Sequence, residues 1–458
     1  MAALAVLIVG GVAWPYTVDD AYIVARYAQH LADGHGYVMN PGADPSDGVT
    51  GPLWLLPMSL GVPWAKGLGL LSGGLAAGLA TRFAQAHGGA WAGAGTALFV
   101  AVQSTLGIWS VAGLEAGAAT LALVVAVIAA LAVPRPRPLG AGVPVALLAW
   151  LRPETVAAAL VAVLVAWARD RRMGVRAALI GLSGLAGVVA FRWALFGQPL
   201  PLTMAARPPE LGHGMAYVGR AVAATTGGLA LVPITLAVAR GGWRMRAIGL
   251  AAAVHLGAVI LAGGDWMPGY RLVAPMLPLL AILVGGGMAA LRVGRPARVA
   301  VLAACCALPA LDAITQLPRA REAGRRRETI GAPLARWMGA RYGSIAIVDA
   351  GYLAWASGAR VVDLAGLTEP AVGRAPGGHL DKRFDPGVLV AASPDAVVLH
   401  SSRPPRFDAS GVPTALAGHP VERRVAEHPW LRAHYRVARV VPYAPRYYYV
   451  ILARSGPP

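Results

Sequence analysis

The sequence predicts a mainly α protein, a polytopic membrane helix bundle of about eleven spans that carries a C-terminal soluble α/β domain. Composition is the first reason: hydrophobic residues fill 57% of the 458 positions and charged residues 14%, with a mean hydropathy of +0.57. A water-soluble globule has no interior large enough for that much apolar surface. The second reason is the arrangement of apolar residues in long runs separated by short arginine clusters. The third is a change of character after about residue 316, where apolar runs long enough to span disappear.

In chain order, apolar runs fall at roughly 1–14, 53–80, 90–111, 116–133, 139–151, 155–168, 177–196, 221–239, 247–262, 272–291 and 299–315. The first shows no small-residue cleavage site and is expected to remain as a span. Placing the N-terminus in the cytoplasm puts Arg82, Arg135 and Arg137, the Arg169 to Arg172 cluster, Arg240 to Arg246 and Arg292 to Arg298 on that same side, as the positive-inside rule requires. The protein is therefore expected to be a multi-pass inner (plasma) membrane protein. Its first external loop, 15–52, the loop 197–220, the turn 263–271 and the tail 317–458 would all be periplasmic.

The formal charge of +18 does not imply nucleic acid, because half of the basic residues lie before residue 313, mostly in short clusters between apolar runs, where topology accounts for them. Cys305 and Cys306 are adjacent within an apolar run and receive no redox role. The tail holds 20 Lys and Arg and 11 acidic residues. Its segments 344–349, 360–363, 395–399 and 447–452 read as buried strands and 329–341 and 351–357 as helices, a separate α/β module. Domains are thus expected at 1–316 and 317–458.

Chemistry is sought first at Asp19 and Asp20, two adjacent carboxylates just beyond the first apolar run. Ile23, Tyr27 and Leu31 follow at four-residue spacing and Gly34 closes the segment, which predicts an amphipathic helix along the membrane surface. One aspartate is accounted for as that helix's N-cap; a second beside a bilayer costs desolvation and like-charge repulsion unless something uses it.

The loop continues as Gly34-His35-Gly36-Tyr37-Val38-Met39-Asn40-Pro41-Gly42 and Gly48-Val49-Thr50-Gly51-Pro52-Leu53-Trp54. With Asp19-Asp20-Ala21-Tyr22 and Arg26-Tyr27, this series resembles the first loop of bacterial GT-C glycosyltransferases similar to the mycobacterial terminal arabinofuranosyltransferases. Phe196 to Thr203, Gly263 to Arg271 and Val362 to Glu369 resemble further stretches of that family. Leu202 and Arg207 stand where relatives tend to have Asn and Lys, and the soluble domain is shorter than in the mycobacterial enzymes. The resemblance implies transfer of a sugar, arabinofuranose among the candidates, from a polyprenyl-phosphate carrier to an extracytoplasmic glycan, lipid or protein. It also implies substrate contacts at Tyr22, Arg26, His35, Thr50 and Trp54, and a divalent cation (Mg, Mn or Ca) whose ligands are unknown.

The residues themselves fit such a transfer, which needs a base for the acceptor hydroxyl, cationic stabilisation of the departing phosphate and an apolar groove for the lipid. Asp19 is the first choice for base and Asp20 for acceptor or cation contact, because neighbours at a helix start point about 100° apart; the reverse assignment stays open. Arg271 opens a span from the external side and is the first candidate for the phosphate, with Arg192 and Arg207 behind it. Asp265 and Trp266 would wall a sugar ring, or Asp265 would simply pair with Arg271 across a tight turn. Arg152 and Glu154 are expected to be a structural pair between two spans. His30 and His35 flank the loop without forming a metal-binding set. The rival readings are a polytopic transporter or flippase and a non-catalytic assembly protein. Transporters place their ionisable residues at mid-membrane, whereas nearly all charges here lie at the ends of spans.

Overall fold

The computed structural model describes residues 1–132 and 134–455; Val133, the end of one expected span, and the last three residues lie outside this set. The chain divides into two compact units. One comprises Met1–Thr17, Thr50–Phe191 and Pro209–Glu322, and the other comprises Val18–Val49, Arg192–Pro208 and Ala323–Pro458.

The first unit is helical. Ala2–Val12, Val62–Ala101, Ala116–Leu131, Pro138–Leu151, Pro153–Arg169, Arg171–Phe196, Leu211–Thr226, Leu231–Arg240, Gly242–Leu261, Leu277–Ala290 and Arg295–Arg326 cover the apolar runs. Most of the runs expected at 53–80 and 90–111 lies in one continuous element, Val62–Ala101, that folds back on itself. Gly89 adopts φ +74° within it, and a Cβ placed on Gly93 would lie 2.8 Å from the Gln85 Cβ, residues that a straight helix would hold about 12 Å apart. Only a residue without Cβ accepts this turn at low cost.

Among the described residues, three helices are individually long and apolar enough to cross a membrane: Arg171–Phe196, Gly242–Leu261 and Arg295–Gly339. Two bent pairs raise this to five, Val62–Ala101 with Ser104–Ser110 at 62° and Leu211–Thr226 with Leu231–Arg240 at 92°. The expected spans at the N-terminus and at 116–133, 139–151 and 272–291 are shorter helices of 11 to 17 residues. At 1.5 Å per residue such helices reach about 16–26 Å, short of the ~30 Å hydrocarbon layer. Backbones approach closely at small residues, for example where Gly285 lies against the Ala92 carbonyl. Leu179, Leu182 and Trp193 stay 63%, 53% and 63% exposed on one helix, a surface suited to acyl chains rather than water. The charge inside the second run, Lys66, is 5% exposed and held by the Tyr16 carbonyl and the Thr17 hydroxyl, both at 3.0 Å.

The second unit is built on a five-stranded mixed sheet. Its strands are β1 (Ser344–Ile347), β2 (Arg360–Asp363), β3 (Ala396–Ser401), β4 (Arg406–Phe407), β5 (Pro413–Ala415), β6 (Tyr435–Ala444) and β7 (Tyr447–Arg454). The order is β2-β1-β3-β7-β6, with β4 and β5 forming a separate pair. β1 runs parallel to β2 and β3, while β7 is antiparallel to β3 and β6. β1, β2, β3 and β7 are the expected strands. β6 is an edge strand whose Arg436 and Arg439 interrupt the apolar pattern, so its sequence does not read as a buried strand.

The helix Asp20–Ala32 belongs to this unit, and residues 21 to 28 are all buried. The helix is thus packed on most sides within its unit, with Arg26 buried and Gln29 left exposed. Arg26 spends its guanidinium on three carbonyls, from Nε to Met39 (2.8 Å), from Nη1 to Ala354 (2.6 Å) and from Nη2 to Ala359 (2.8 Å). Asn40 donates to the Val361 carbonyl at 2.8 Å and accepts the Val361 N–H at 2.8 Å, extending the sheet beyond edge strand β2 with a side-chain amide. Asn40→Ala leaves both Val361 groups unpaired and should cost about 1–3 kcal/mol of stability. Chemical unfolding of the full chain in detergent measures it, and a change below about 0.5 kcal/mol would show that this amide does not hold the loop to the sheet.

Candidate functional site

Two groups of polar side chains stand out, one in each unit. In the sheet-bearing unit, the Asp19 backbone is already helical, with φ −59° and ψ −46°, and its side chain does not cap its own helix. Its carboxylate reaches instead to a segment more than 300 residues away, accepting the Gly351 N–H at Oδ2 (3.0 Å) and the Tyr352 N–H at Oδ1 (2.8 Å). These donors open the helix Tyr352–Ser357, so Asp19 closes that helix's N-terminus from another part of the chain. A side chain on Gly351 would collide with Asp19, which explains glycine there. Burial pushes the Asp19 carboxyl up, the neighbouring Asp349 charge adds to this, and the two N–H groups offset only part of it, leaving a value of about 8. Stability contributed by the neutral form is therefore complete below the ordinary value of 3.8 and is lost as pH rises through about 8.

Asp20 points elsewhere. Its Oδ2 lies 3.6 Å from Nη2 of Arg207, with the two side chains 20% and 22% exposed. His379 also feels both charges; burial first, and then Arg207, lower its imidazole to about 3, so it is neutral near pH 7. Tyr22 packs edge-on to Tyr352 (4.8 Å between centroids) and against Trp355 (5.2 Å), with the Arg327 guanidinium 5.4 Å above its ring.

Behind Asp19 the tail supplies a cluster that the sequence reading did not mark. The Tyr447 hydroxyl donates to Asp349 Oδ2 at 2.7 Å, and His400 Nε2 faces the same oxygen at 3.5 Å. His400 Nδ1 meets Glu422 Oε1 at 2.7 Å. Glu422 is fully buried and accepts the backbone N–H of His400 (2.7 Å) and of His419 (2.8 Å) as well. The only sequence signal was a lone Asp after an apolar strand and a His inside another.

In the helical unit, Asp265 and Arg271 form a buried ion pair across the turn, Nε to Oδ2 at 2.9 Å, with side chains 3% and 11% exposed. Ring side chains fasten the turn. Trp109 Nε1 donates to the Gly269 carbonyl at 2.6 Å, the Tyr217 hydroxyl accepts the Leu272 N–H at 3.2 Å, and His255 Nε2 meets the Leu272 carbonyl at 2.7 Å. The Arg271 guanidinium also lies 5.8 Å from the centre of the Trp109 ring. Trp266, beside the pair, is 47% exposed. Arg152 bridges Glu154 (2.7 Å), its expected partner, and Glu115 (3.0 Å), which the sequence did not suggest.

Several candidates are committed to structure. Arg192 is not a free cation for phosphate but a buried partner of Asp47, Nε to Oδ2 at 2.8 Å. Arg26 is used on carbonyls, as described, and the Trp54 indole donates to the Gly113 carbonyl at 2.9 Å deep inside its unit. All three side chains are thus engaged by the protein itself. His35 is exposed, with its ring edge-on to His30 at 5.9 Å, and Thr50 is half-buried. Among the described residues, no group of three or more His, Cys, Asp or Glu side chains is placed to hold a metal ion.

Comparison with known proteins adds the following. Residues 319–452 match a family model described as a domain of unknown function, DUF8728. No curated protein gives a match. Among solved structures, ArnT from Cupriavidus metallidurans bound to undecaprenyl phosphate aligns with 100% of this chain and 98% of its own at a TM-score of 0.65 and 13% identity. The apo state of the same protein aligns with 97% and 96% at a TM-score of 0.59 and 13% identity. At this identity the likeness establishes the fold, and the chain has an ArnT-like architecture of apolar helices with a small C-terminal sheet domain.

Proposed function

We propose that the chain is an integral membrane, inverting glycosyltransferase that moves a sugar from a polyprenyl-phosphate carrier to an extracytoplasmic hydroxyl. The observation that carries this reading is the full-length sharing of fold with a protein solved with undecaprenyl phosphate bound. The loop residues that resemble GT-C enzymes support it independently, and they suggest arabinofuranose as the first donor sugar to try. The acceptor is a glycan, lipid or protein hydroxyl.

In this reading the Asp19 and Asp20 region receives the acceptor. A carboxyl of this cluster takes the hydroxyl proton, and Asp19, pushed up to about 8, is the one to which the sequence points. Asp20, paired at 3.6 Å with Arg207, orients the hydroxyl. Arg271 meets the phosphate, its forked guanidinium being suited to two phosphate oxygens, and the exposed Trp266 faces the sugar. No step here is routed through a metal.

Purified full-length protein should bind undecaprenyl phosphate. Because Arg271 is paired, Arg271→Gln is best compared in an Asp265→Asn background, which avoids stranding a buried carboxylate. Loss of a charge-assisted bond worth roughly 1.5–3 kcal/mol predicts an affinity about 10- to 150-fold weaker than Asp265→Asn alone. Equal affinity of the two variants would remove Arg271 from the phosphate, and absence of binding in the wild type would leave the transporter reading in place.

Asp19→Asn tests the acceptor side. An Asn amide can accept only one of the two N–H bonds and turns its own NH2 on the other, so about 1–3 kcal/mol of stability should be lost. If Asp19 also moves the proton, turnover should fall about 10²- to 10⁴-fold while undecaprenyl phosphate still binds. Normal turnover at reduced stability would make Asp19 a helix cap alone.

Orientation is tested by thiol labelling of intact cells at four exposed positions. Cysteines replacing Asp44 and Asp408 should react from outside, and those replacing Arg172 and Arg240 should not. Reaction at 172 would invert the topology.

A further inference from the structure

The strands β2, β1 and β3 run parallel, so their carboxyl ends share one edge of the sheet. In open α/β sheets that edge is where ligands are met. Three titratable side chains lie there: Asp363 at the end of β2, Asp349 just beyond β1, and His400 in the last turnings of β3. Asp363 is fully buried and spent on its own loop, accepting the N–H groups of Ala365, Gly366 and Thr368. Asp349 differs, since its side chain is 33% exposed. Its Oδ2 takes the Tyr447 hydroxyl and faces His400, and no bond to Oδ1 is formed among the described residues. Each oxygen of Asp19, by contrast, already accepts a backbone N–H.

We propose that Asp349 is a second catalytic carboxylate of the Asp19 cluster, the one that receives the proton of the attacking hydroxyl, and that His400, backed by Glu422, is the positioning residue that orients it. The proposal rests on the glycosyl-transfer reading. In the step it describes, the acceptor oxygen forms a bond to the anomeric carbon, the bond from that carbon to the phosphate oxygen breaks with its electron pair leaving on the phosphate, and the hydroxyl proton passes to Asp349 Oδ1.

His400 is suited to its part. Its Nδ1 carries a proton toward Glu422 Oε1, an oxygen that already accepts a backbone N–H. Its ring lies between Tyr447 and Tyr449 of β7, 4.9 and 5.0 Å from their centroids, with His419 at 6.4 Å. The charged groups facing it are Glu422 from the helix Pro420–Glu427, Asp349 from beyond β1, and Asp19 from the head of the helix Asp20–Ala32. Burial works against the imidazolium, but Asp349 and Glu422 outweigh it, so the value is raised above 6.5. An imidazolium at His400 places a positive charge 3.5 Å from Asp349 Oδ2, a partner that Asp19 lacks, and such a difference of environment is what separates the roles of paired catalytic carboxylates.

Two measurements on the full-length protein test this. In the first, His400 is titrated by imidazole NMR; it should hold its proton above the ordinary value, and Asp349→Asn should lower it. The second is turnover of whichever polyprenyl-phosphate sugar the wild type accepts, starting with undecaprenyl-phosphate-linked arabinofuranose. Asp349→Asn should reduce kcat about 10²- to 10⁴-fold with KM unchanged. His400→Gln, which keeps a donor but cannot titrate, should lower kcat and abolish the decline of activity on the alkaline side. A His400 insensitive to Asp349→Asn, or an Asp349→Asn variant that turns over normally, overturns the proposal while leaving the glycosyltransferase reading standing. A wild type that accepts no such donor overturns both.

Discussion

The bonds from the Asp19 carboxylate to the N–H groups of Gly351 and Tyr352 are the constraint on which the sheet-bearing unit depends. They fasten the start of the chain to a helix in the tail, and Arg26 and Asn40 repeat the link at Ala354, Ala359 and Val361. All three side chains bond to backbone, so the loop is built into the domain as a structural part. The loop and the tail form one compact unit for this reason, although the helical chain between them belongs largely to another. A domain boundary drawn along the sequence cannot express such an arrangement, because a change in composition marks where polar surface resumes and not which polar segments will pair.

Buried charge follows the same economy. Arg192 with Asp47, Arg271 with Asp265, and Arg152 with Glu115 and Glu154 are each satisfied locally. A cation taken from water in an apolar protein needs a partner at hydrogen-bond distance, or its desolvation is uncompensated. Arginines that look available in a sequence are therefore the ones with a carboxylate waiting in the fold. An incoming anion competes more readily with the carboxylate where the pair is less buried, as with Arg207 and Asp20, 22% and 20% exposed.

The architecture was legible because hydrophobic patterning is local: the apolar runs became helices, and β1, β2, β3 and β7 fell where alternating or continuous apolar residues placed them. The break before Gly89 was legible in the polar stretch from Thr81 to Gly89, with Arg82, Gln85 and His87, which separates two expected runs; that the helix continues through this stretch and turns at one glycine was not. Nor was β6, whose arginines break the apolar pattern. Among the candidate residues, Asp19 and Asp20 in one unit and Asp265 and Arg271 in the other were legible as unusual charges at the ends of apolar runs. Asp349, His400 and Glu422 were not, because each is unremarkable in its own segment and acquires meaning only when β1, β3 and the helix Pro420–Glu427 are brought together.

That difference bears on how proton transfer is organised. A carboxylate whose two oxygens are both bonded to backbone N–H groups is well placed but already engaged, and burial together with the Asp349 charge leaves it near 8. A second carboxylate, exposed on one side and held on the other by Tyr447 and an imidazole, has the complementary properties. Two such groups cannot both ionise cheaply at close range, so the environment must decide which one keeps the proton. Here the backbone holds Asp19 in place, while Tyr447 and His400, itself bonded to Glu422, hold one oxygen of Asp349. The residue most visible in the sequence is thus the one most fully engaged by backbone, and its neighbour from the tail is the one with an oxygen turned to solvent.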